Sequence, residues 1–258
     1  PYDTDKPLIT REVKINTRIV TYILSQELID DDISLISEFY PSTMMIKDVI
    51  IPNDIKEKLI NFVSYFKTNR LTECFVFSFH GPYGSLKLES AGAVCAELKA
   101  PLLVVDLLAL DNADLYFERA LDLVLREAKL LPAGIYFRNC DFLFTNETGK
   151  TYERRYFLKE LNNNSNLVFL DSINILPIHG ELKNQRVISL EFTIPEYTMR
   201  KDLWTDYLKS YTLSDDTDIK EIANKYNLTS GQIKDIVTTA HTYALWRDTT
   251  HTMITSSR

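Results

Sequence analysis

A strand–turn–helix pattern at residues 74–98 constrains the fold of this chain more than any other feature. Residues 74–79 form a short apolar run rich in aromatic side chains, and Gly81-Pro82 ends it. From residue 87 to 98, apolar side chains recur at the spacing of one helix face. The turn aligns with G-x-x-x-x-G-K-[ST], with Gly81 as the first glycine and Lys87 as the lysine. This arrangement predicts a phosphate-binding loop between a buried strand and a helix.

Two of the four fixed positions in this pattern carry leucine. Leu86 replaces the second glycine, which normally lets the backbone approach a phosphate without a Cβ. Leu88 replaces the hydroxyl residue that holds Mg²⁺. We therefore expect an obstructed approach to phosphate and no bound Mg²⁺. Lys87 has two interpretations: a residual contact to phosphate, or a solvated or salt-bridged lysine at a helix start.

The rest of the chain predicts an α/β domain followed by a small helical domain. Four further short apolar runs are predicted strands, at residues 102–105, 134–137, 167–170 and 186–192. Helical patterns separate them, at residues 87–98, 113–130 and 152–161. Alternation of this kind predicts a three-layer fold with a parallel five-stranded sheet. After Pro195 only helices are predicted, at residues 196–211, 217–226 and 230–246.

These patterns divide the chain into four predicted segments. Residues 1–47 are expected to be a helical linker or the end of an upstream domain, with helices at 10–25 and 33–40. Residues 48–194 form the α/β domain, 195–248 the helical domain, and 249–258 a disordered polar tail. Thr217 and Ser230 are the predicted N-caps of the last two helices, neither with a full capping box. Because the first residue is Pro1, we expect the chain to be a piece of a longer protein.

The amino-acid composition argues against nonspecific nucleic-acid binding, a membrane span and a metal site. The net charge of −7 argues against nonspecific nucleic-acid binding, which needs a surface that neutralises phosphates. No run approaches about 18 uninterrupted apolar residues, so no membrane span is predicted. The three cysteines form no C-x-x-C pair and are interpreted as buried reduced thiols, which suits the cytoplasm. The four histidines lack metal-ligand spacing, and no metal ligand is assigned.

Five landmarks in sequence order resemble those of the AAA+ ATPase module, a P-loop α/β domain followed by a helical lid. Asp48-Val-Ile-Ile-Pro is similar to the segment before the first helix, and residues 81–88 resemble Walker A. Residues 131–141 resemble the Walker B strand, 166–172 the sensor-1 strand, and 228–234 the start of the sensor-2 helix.

A narrower resemblance is to the first, degenerate AAA+ module of the large two-module ATPases encoded with extracellular contractile injection systems. Residues 79–84, 102–107 and 192–196 carry it. This resemblance implies a bacterial, cytoplasmic protein that forms a homo-oligomeric, hexameric ring at full length and acts on other proteins.

The resemblance also implies which residues would contact ATP or ADP. The nucleotide-binding candidates are Gly81, Pro82, Tyr83, Gly84, Ser85, Leu86, Lys87, Leu88 and, at the sensor-2 position, Lys234. Walker B strands normally end in Asp-Glu, but here Arg138-Asn139 follows the strand, and Asp141 comes too late and is interpreted as a cap or surface residue. No catalytic residue is assigned. Sensor-1 and arginine-finger candidates are Asp171, Ser172 and Asn174, and Arg154, Arg155 and Arg186.

Three functional hypotheses follow from the sequence. The first is a degenerate AAA+ module in a larger ATPase, active in ring assembly or regulation, with hydrolysis lost and residual ATP or ADP binding retained. The second is an ATP-hydrolysing module with an atypical site. The third is a protein-interaction adaptor that needs no nucleotide. A DNA-related role shares the fold, but the acidic composition argues against it.

Overall fold

The computed structural model describes residues 17–24, 29–69, 74–112, 115–145, 149–164, 166–213, 217–247 and 253–254. The strands are β1 (Ser37–Tyr40), β2 (Phe75–His80), β3 (Leu102–Asp106), β4 (Gly134–Arg138), β5 (Val168–Ser172), β6 (Arg186–Glu191), β7 (Thr212–Leu213) and β8 (Met253–Ile254). The helices are α1 (Thr17–Ile23), α2 (Asn53–Asn69), α3 (Lys87–Leu98), α4 (Leu107–Asp111), α5 (Phe117–Leu130), α6 (Asp141–Phe144), α7 (Thr151–Asn162), α8 (Tyr197–Leu208), α9 (Ile219–Lys225) and α10 (Ser230–Arg247).

The central sheet has six strands in the order β1-β3-β4-β5-β2-β6. Strands β2 to β6 are parallel, and their number and sequence positions agree with the prediction. The α/β fold predicted from the alternation of short apolar strands and helices is therefore confirmed. Parallel strands leave their carboxyl ends at one edge of the sheet, and this edge holds the candidate site.

The sixth strand corrects one prediction. Residues 33–40 were expected to form a helix, but Asp31–Ile33 is a 3-10 turn capped by Asp30, and β1 pairs antiparallel with β3. Ile33, Ile36 and Tyr40 have helical spacing in the sequence, but Phe39 and Tyr40 pack against opposite faces of the sheet, as neighbouring residues of a strand do. The segment before residue 48 thus contributes a strand to the sheet.

Two cores cover the two faces of the sheet. On one face α5 and α7 bury a mostly aliphatic cluster that includes Leu121 and Phe137. On the other face α2 and α3 bury a cluster rich in aromatic rings that includes Phe77 and Phe169. The cysteine interpretation is correct for Cys95 and Cys140, which are buried, but Cys74 is only half-buried. No helix among the described residues is long and apolar enough to cross a membrane.

Helices α8, α9 and α10 form a separate small core around Leu203, Trp204 and Ile233, and Ile50 from the α/β part packs against it. The predicted N-caps are one residue out of place. Asp218 caps α9, and Thr229 caps α10 through a full capping box with Gln232, because Gln232 lies three residues after Thr229.

The expected tail is partly ordered. Residues 253–254 form β8, which pairs parallel with β7, while residues 249–252 and 255–258 lie outside the described residues. The boundaries at 48, 195 and 249 stay predictions.

Candidate functional site

A cleft of about 860 Å³ lies where the carboxyl ends of β4 and β5 meet the start of α3 and the start of α10. Seven of the nine sequence-predicted contact residues line it, namely Tyr83, Gly84, Ser85, Leu86, Lys87, Leu88 and Lys234. The other two lie beside it and supply carbonyls: Gly81 accepts from Lys87, and Pro82 accepts from the Ser85 hydroxyl. The fold therefore brings the loop and Lys234 of α10 together.

The loop retains its turn although Leu86 occupies a glycine position. Leu86 has φ 65° and ψ 29°, the left-handed conformation that costs a residue with a Cβ roughly 1–2 kcal/mol. The half-buried side chains of Leu86 and Leu88 pack against the aromatic core, which offsets this strain. Within the described residues, no carbonyl or side chain accepts from the N–H groups of Leu86, Lys87 and Leu88. The backbone thus keeps three donors at the helix start.

The side chain of Lys87 is satisfied inside the protein. Its ammonium donates to the Gly81 carbonyl at 2.6 Å and to the Ser172 carbonyl at 2.8 Å. It also pairs with the Asp171 carboxylate, Nζ to Oδ1 at 2.7 Å. Only 8% of the Lys87 side chain is exposed. An ammonium has three donors, so these three acceptors use all of them. The structure thus places Lys87 in a salt bridge, and its contact with a phosphate stays a prediction.

Asp171, at the end of β5, is enclosed by its partners. Burial raises the pKa of Asp171, while the charge of Lys87 and a hydrogen bond from the Tyr136 hydroxyl act in the opposite direction. Burial, together with the charge of Asp171, raises the pKa of Tyr136 well above its ordinary value. The resulting Lys87–Asp171–Tyr136 cluster joins the loop to two strands of the sheet.

The polar residues after β4 have structural partners. Arg138 faces the Glu38 carboxylate on β1 at 3.6 Å, and the Asn139 amide donates to Asp106 at 2.9 Å. Asp106 also caps α4. Asp141 accepts from the backbone N–H groups of residues 173 and 174, at 2.7 and 3.2 Å. It is the first residue of α6, whose N-cap residue Cys140 makes no side-chain cap bond, so Asp141 binds the loop after β5 and does not cap a helix.

No group of three acidic, histidine or cysteine side chains suited to a metal occurs within the described ranges. The balance of charge around the cleft also differs from that of a polyphosphate site. Four carboxylates line it, from Glu89, Asp141, Asp171 and Asp235, against three cations, from Lys87, Arg138 and Lys234. One of these cations, Lys87, is already neutralised by Asp171. A nucleotide phosphate therefore finds no excess positive charge here.

The sensor-1 and arginine-finger candidates lie at different places in the fold. The Ser172 carbonyl binds Lys87, and the Asn174 backbone binds Asp141. None of the three arginine-finger candidates lines the cleft. Arg154 lies over the Phe144 ring at 4.9 Å, Arg155 is exposed on α7, and Arg186 begins the edge strand β6.

Sequence reasoning missed Tyr136 and Gly231 as site residues. Tyr136 lies inside an apolar strand and looked like a core residue, although a hydroxyl near a strand end is a usable signal. Gly231 served only to align the sensor-2 segment, yet its N–H donates to the Gly84 carbonyl at 2.7 Å.

Comparison with known proteins supports the fold. No protein-family model matches the chain, and no curated protein matches it. Among solved structures, the chain is similar to the crystal structure of the FIGL-1 AAA domain, with 15% sequence identity and a TM-score of 0.66. The similarity covers 89% of this chain and 88% of that chain. The chain therefore has the P-loop AAA+ fold.

Proposed function

Starting from this AAA+ fold, we propose that the module has lost ATP hydrolysis and serves ring assembly or regulation in a larger ATPase. The observation that carries the proposal is the internal neutralisation of Lys87 by Asp171 and two carbonyls. Binding a β- or γ-phosphate through Lys87 requires breaking this pair. Losing the partner of such a partly buried charge costs about 1–3 kcal/mol.

The residues after β4 and after Lys87 support the loss of hydrolysis. Hydrolysis by a P-loop NTPase needs a hydroxyl and a carboxylate for Mg²⁺, and a group that positions the attacking water. Leu88 has no oxygen, and Arg138 and Asn139 stand where the two acidic residues are expected. The nearby Asp106 and Asp141 carboxylates already accept hydrogen bonds from the protein.

A second candidate function is residual binding of ATP or ADP without Mg²⁺. It is favoured by the left-handed Leu86 and by the three backbone N–H groups that the described residues leave unused. Such a cradle binds phosphate through the backbone alone. The affinity is expected to be low, since the cleft has more carboxylates than cations.

The wider assignment is also a proposal. The narrower resemblance favours the first AAA+ module of an ATPase associated with contractile injection systems, in the cytoplasm of a bacterium. It further favours a hexameric ring in the full-length protein, with other proteins as partners or substrates. A nucleotide-independent adaptor remains the simplest outcome if neither ATP nor ADP binds.

Thermal unfolding with and without nucleotide separates these possibilities. A ligand at about 100 times its Kd stabilises by about 2.7 kcal/mol, which shifts Tm by roughly 5–10 °C for a chain of this size. We expect no shift with MgATP and no Mg²⁺-dependent phosphate release. A shift that is equal with ATP in EDTA would support residual binding. Phosphate release that Lys87→Ala abolishes would contradict the proposal.

A reconstruction provides the positive control. One variant carries the expected residue types at all four positions that differ from the P-loop NTPase pattern. Its substitutions are Leu86→Gly, Leu88→Thr, Arg138→Asp and Asn139→Glu. Adding Asp171→Asn to it releases Lys87. We expect MgATP to raise the Tm of the five-residue variant, and the same assay then shows that the wild-type result is not a failure of detection.

A further inference from the structure

A backbone hydrogen bond between two glycines joins the P-loop to the helical lid. The Gly231 N–H donates to the Gly84 carbonyl at 2.7 Å. A Cβ on Gly231 would lie 2.7 Å from the Gly84 Cα, closer than real Cβ contacts allow. A Cβ on Gly84 would lie 2.8 Å from the Thr229 Oγ1, and Gly84 also has φ 74°. The contact therefore requires glycine on both sides.

The lid side of this contact is firmly held. Thr229 caps α10 with Gln232 in a capping box, and the Tyr207 hydroxyl on α8 bonds the Ser230 hydroxyl at 2.8 Å. Both Thr229 and Ser230 are 1% exposed. Gly231 is the second residue of α10, so its N–H has no acceptor within the helix. The Gly84 carbonyl supplies the missing acceptor, and the P-loop thus completes the cap of the lid helix.

The loop side is equally fixed, through bonds that need no ligand. The Gly81 N–H donates to the carbonyls of Ser172 and Ile173 at the end of β5, and the Ser85 hydroxyl donates to the Pro82 carbonyl at 2.8 Å. Lys87 adds its contacts to Gly81 and Ser172. The turn that carries Gly84 is therefore tied to β5.

We propose that Gly84 and Gly231 form a clasp that holds the lid closed against the P-loop in the absence of nucleotide. The clasp makes the lid and the loop one unit without a ligand between them. The inference goes beyond the loss of hydrolysis and does not depend on it, since the clasp is built from backbone atoms outside the Lys87–Asp171 pair.

Amide hydrogen exchange measured by NMR on the ligand-free 258-residue chain tests the clasp. An N–H at the second position of a helix exchanges freely unless something outside the helix accepts it. We expect the Gly231 amide to exchange at least about tenfold more slowly than in an unstructured chain. Free exchange at Gly231 in the wild-type protein would overturn the proposal.

The variant Gly231→Ala gives a second, independent readout. Helix propensity alone favours alanine over glycine and predicts equal or greater protection. The clasp predicts the opposite, namely exchange at residue 231 at least about tenfold faster than in wild type. Thr238→Ala, an exposed position on the same helix, is the matched control and should leave Gly231 protected. Wild-type protection in Gly231→Ala would overturn the clasp. If that variant does not fold, the wild-type exchange rate decides.

Discussion

Two buried ion pairs of this chain have similar chemistry but lie in different settings. The Arg18 guanidinium of α1 binds both oxygens of Glu127 on α5, at 2.8 and 3.0 Å, with Glu127 fully buried. The Lys87 ammonium binds Asp171 at the wall of an open cleft, and 22% of the Asp171 side chain is exposed. The first pair attaches a helix to the domain. The second pair also joins two parts of the same chain, although its lysine occupies the lysine position of the P-loop pattern.

A motif in the sequence does not determine whether its side chains are free to bind a ligand. In both pairs the cation is bound by a carboxylate of the same chain, and Lys87 has an acceptor for each of its three donors. The difference lies in exposure, and therefore in how much each pair costs to break. A third pair, Arg138–Glu38 at 3.6 Å, is the most exposed of the three.

Breaking the Arg18–Glu127 pair should have the largest effect. Glu127→Ala leaves the guanidinium buried at a site that is about 5% exposed, and we expect a loss of about 3–5 kcal/mol in the free energy of unfolding. Urea denaturation measures it. The double variant Arg18→Met, Glu127→Met removes both charges and should recover much of the loss. A loss below about 1 kcal/mol in Glu127→Ala would show that the pair is not buried in solution.

Breaking the Lys87–Asp171 pair should cost less and depend on pH. We expect Lys87→Met to lose about 1–3 kcal/mol at pH 8, because part of Asp171 can be hydrated. Burial already raises the folded-state pKa of Asp171, and removing Lys87 raises it further. The folded state then binds the proton more tightly than the unfolded state, so stability falls as pH rises above the unfolded pKa of about 4.

The difference in stability between Lys87→Met and wild type should consequently be smallest near pH 4 and largest at pH 8. Urea denaturation across this range measures it. A difference that grows towards acid pH would contradict the pairing, because a carboxylate partner of Lys87 loses its charge in acid.

Releasing Lys87 should expose the latent phosphate cradle. Asp171→Asn keeps the shape of the side chain but removes its charge, so the ammonium is no longer neutralised. We expect the variant to bind ATP at least about tenfold more tightly than wild type in EDTA, a gain of about 1.4 kcal/mol. Titration calorimetry measures it, and Asp235→Asn, which removes a cleft carboxylate without freeing Lys87, is the control. Equal affinities in Asp171→Asn and wild type would refute this role of Asp171.

The exposed pair should have the smallest effect. Arg138→Ala removes a contact in which 36% of the arginine and 68% of the glutamate side chain are exposed. Solvent screening limits such a pair to less than about 1 kcal/mol. Urea denaturation at low and high salt measures it, and we expect no difference above about 0.5 kcal/mol. A larger loss would mean that Arg138 has a role beyond Glu38.

Much of the fold could be predicted because local pattern and global fold agree. Apolar runs separated by helical spacing specify the five parallel strands. The prediction that only helices follow Pro195 is wrong for the two-residue strands β7 and β8, which are too short to give a strand pattern in the sequence. Strand β1 was missed because Ile33, Ile36 and Tyr40 also fit a helical period, and only pairing with β3 decides between them. Thr229 was missed as a cap because Ser230, its neighbour, has the same preference.

The sequence predicts where the site lies in the fold but not which of its residues contact one another. The motif places Lys87 beside a sheet edge, and sensor-1 alignment places Asp171 there too. Their pairing depends on side-chain directions across two strands, which spacing does not give. The Gly84–Gly231 contact likewise joins loop and lid, and neither glycine shows this in its own sequence context.

The most direct test is the NMR signal of the Lys87 side-chain ammonium, assigned by its absence in Lys87→Met. A buried ammonium bound to Asp171, Gly81 and Ser172 should give a slowly exchanging signal that millimolar ATP leaves unchanged. A signal that exchanges rapidly in the free protein, or that shifts when ATP is added, would show that Lys87 is available to phosphate and would contradict the account.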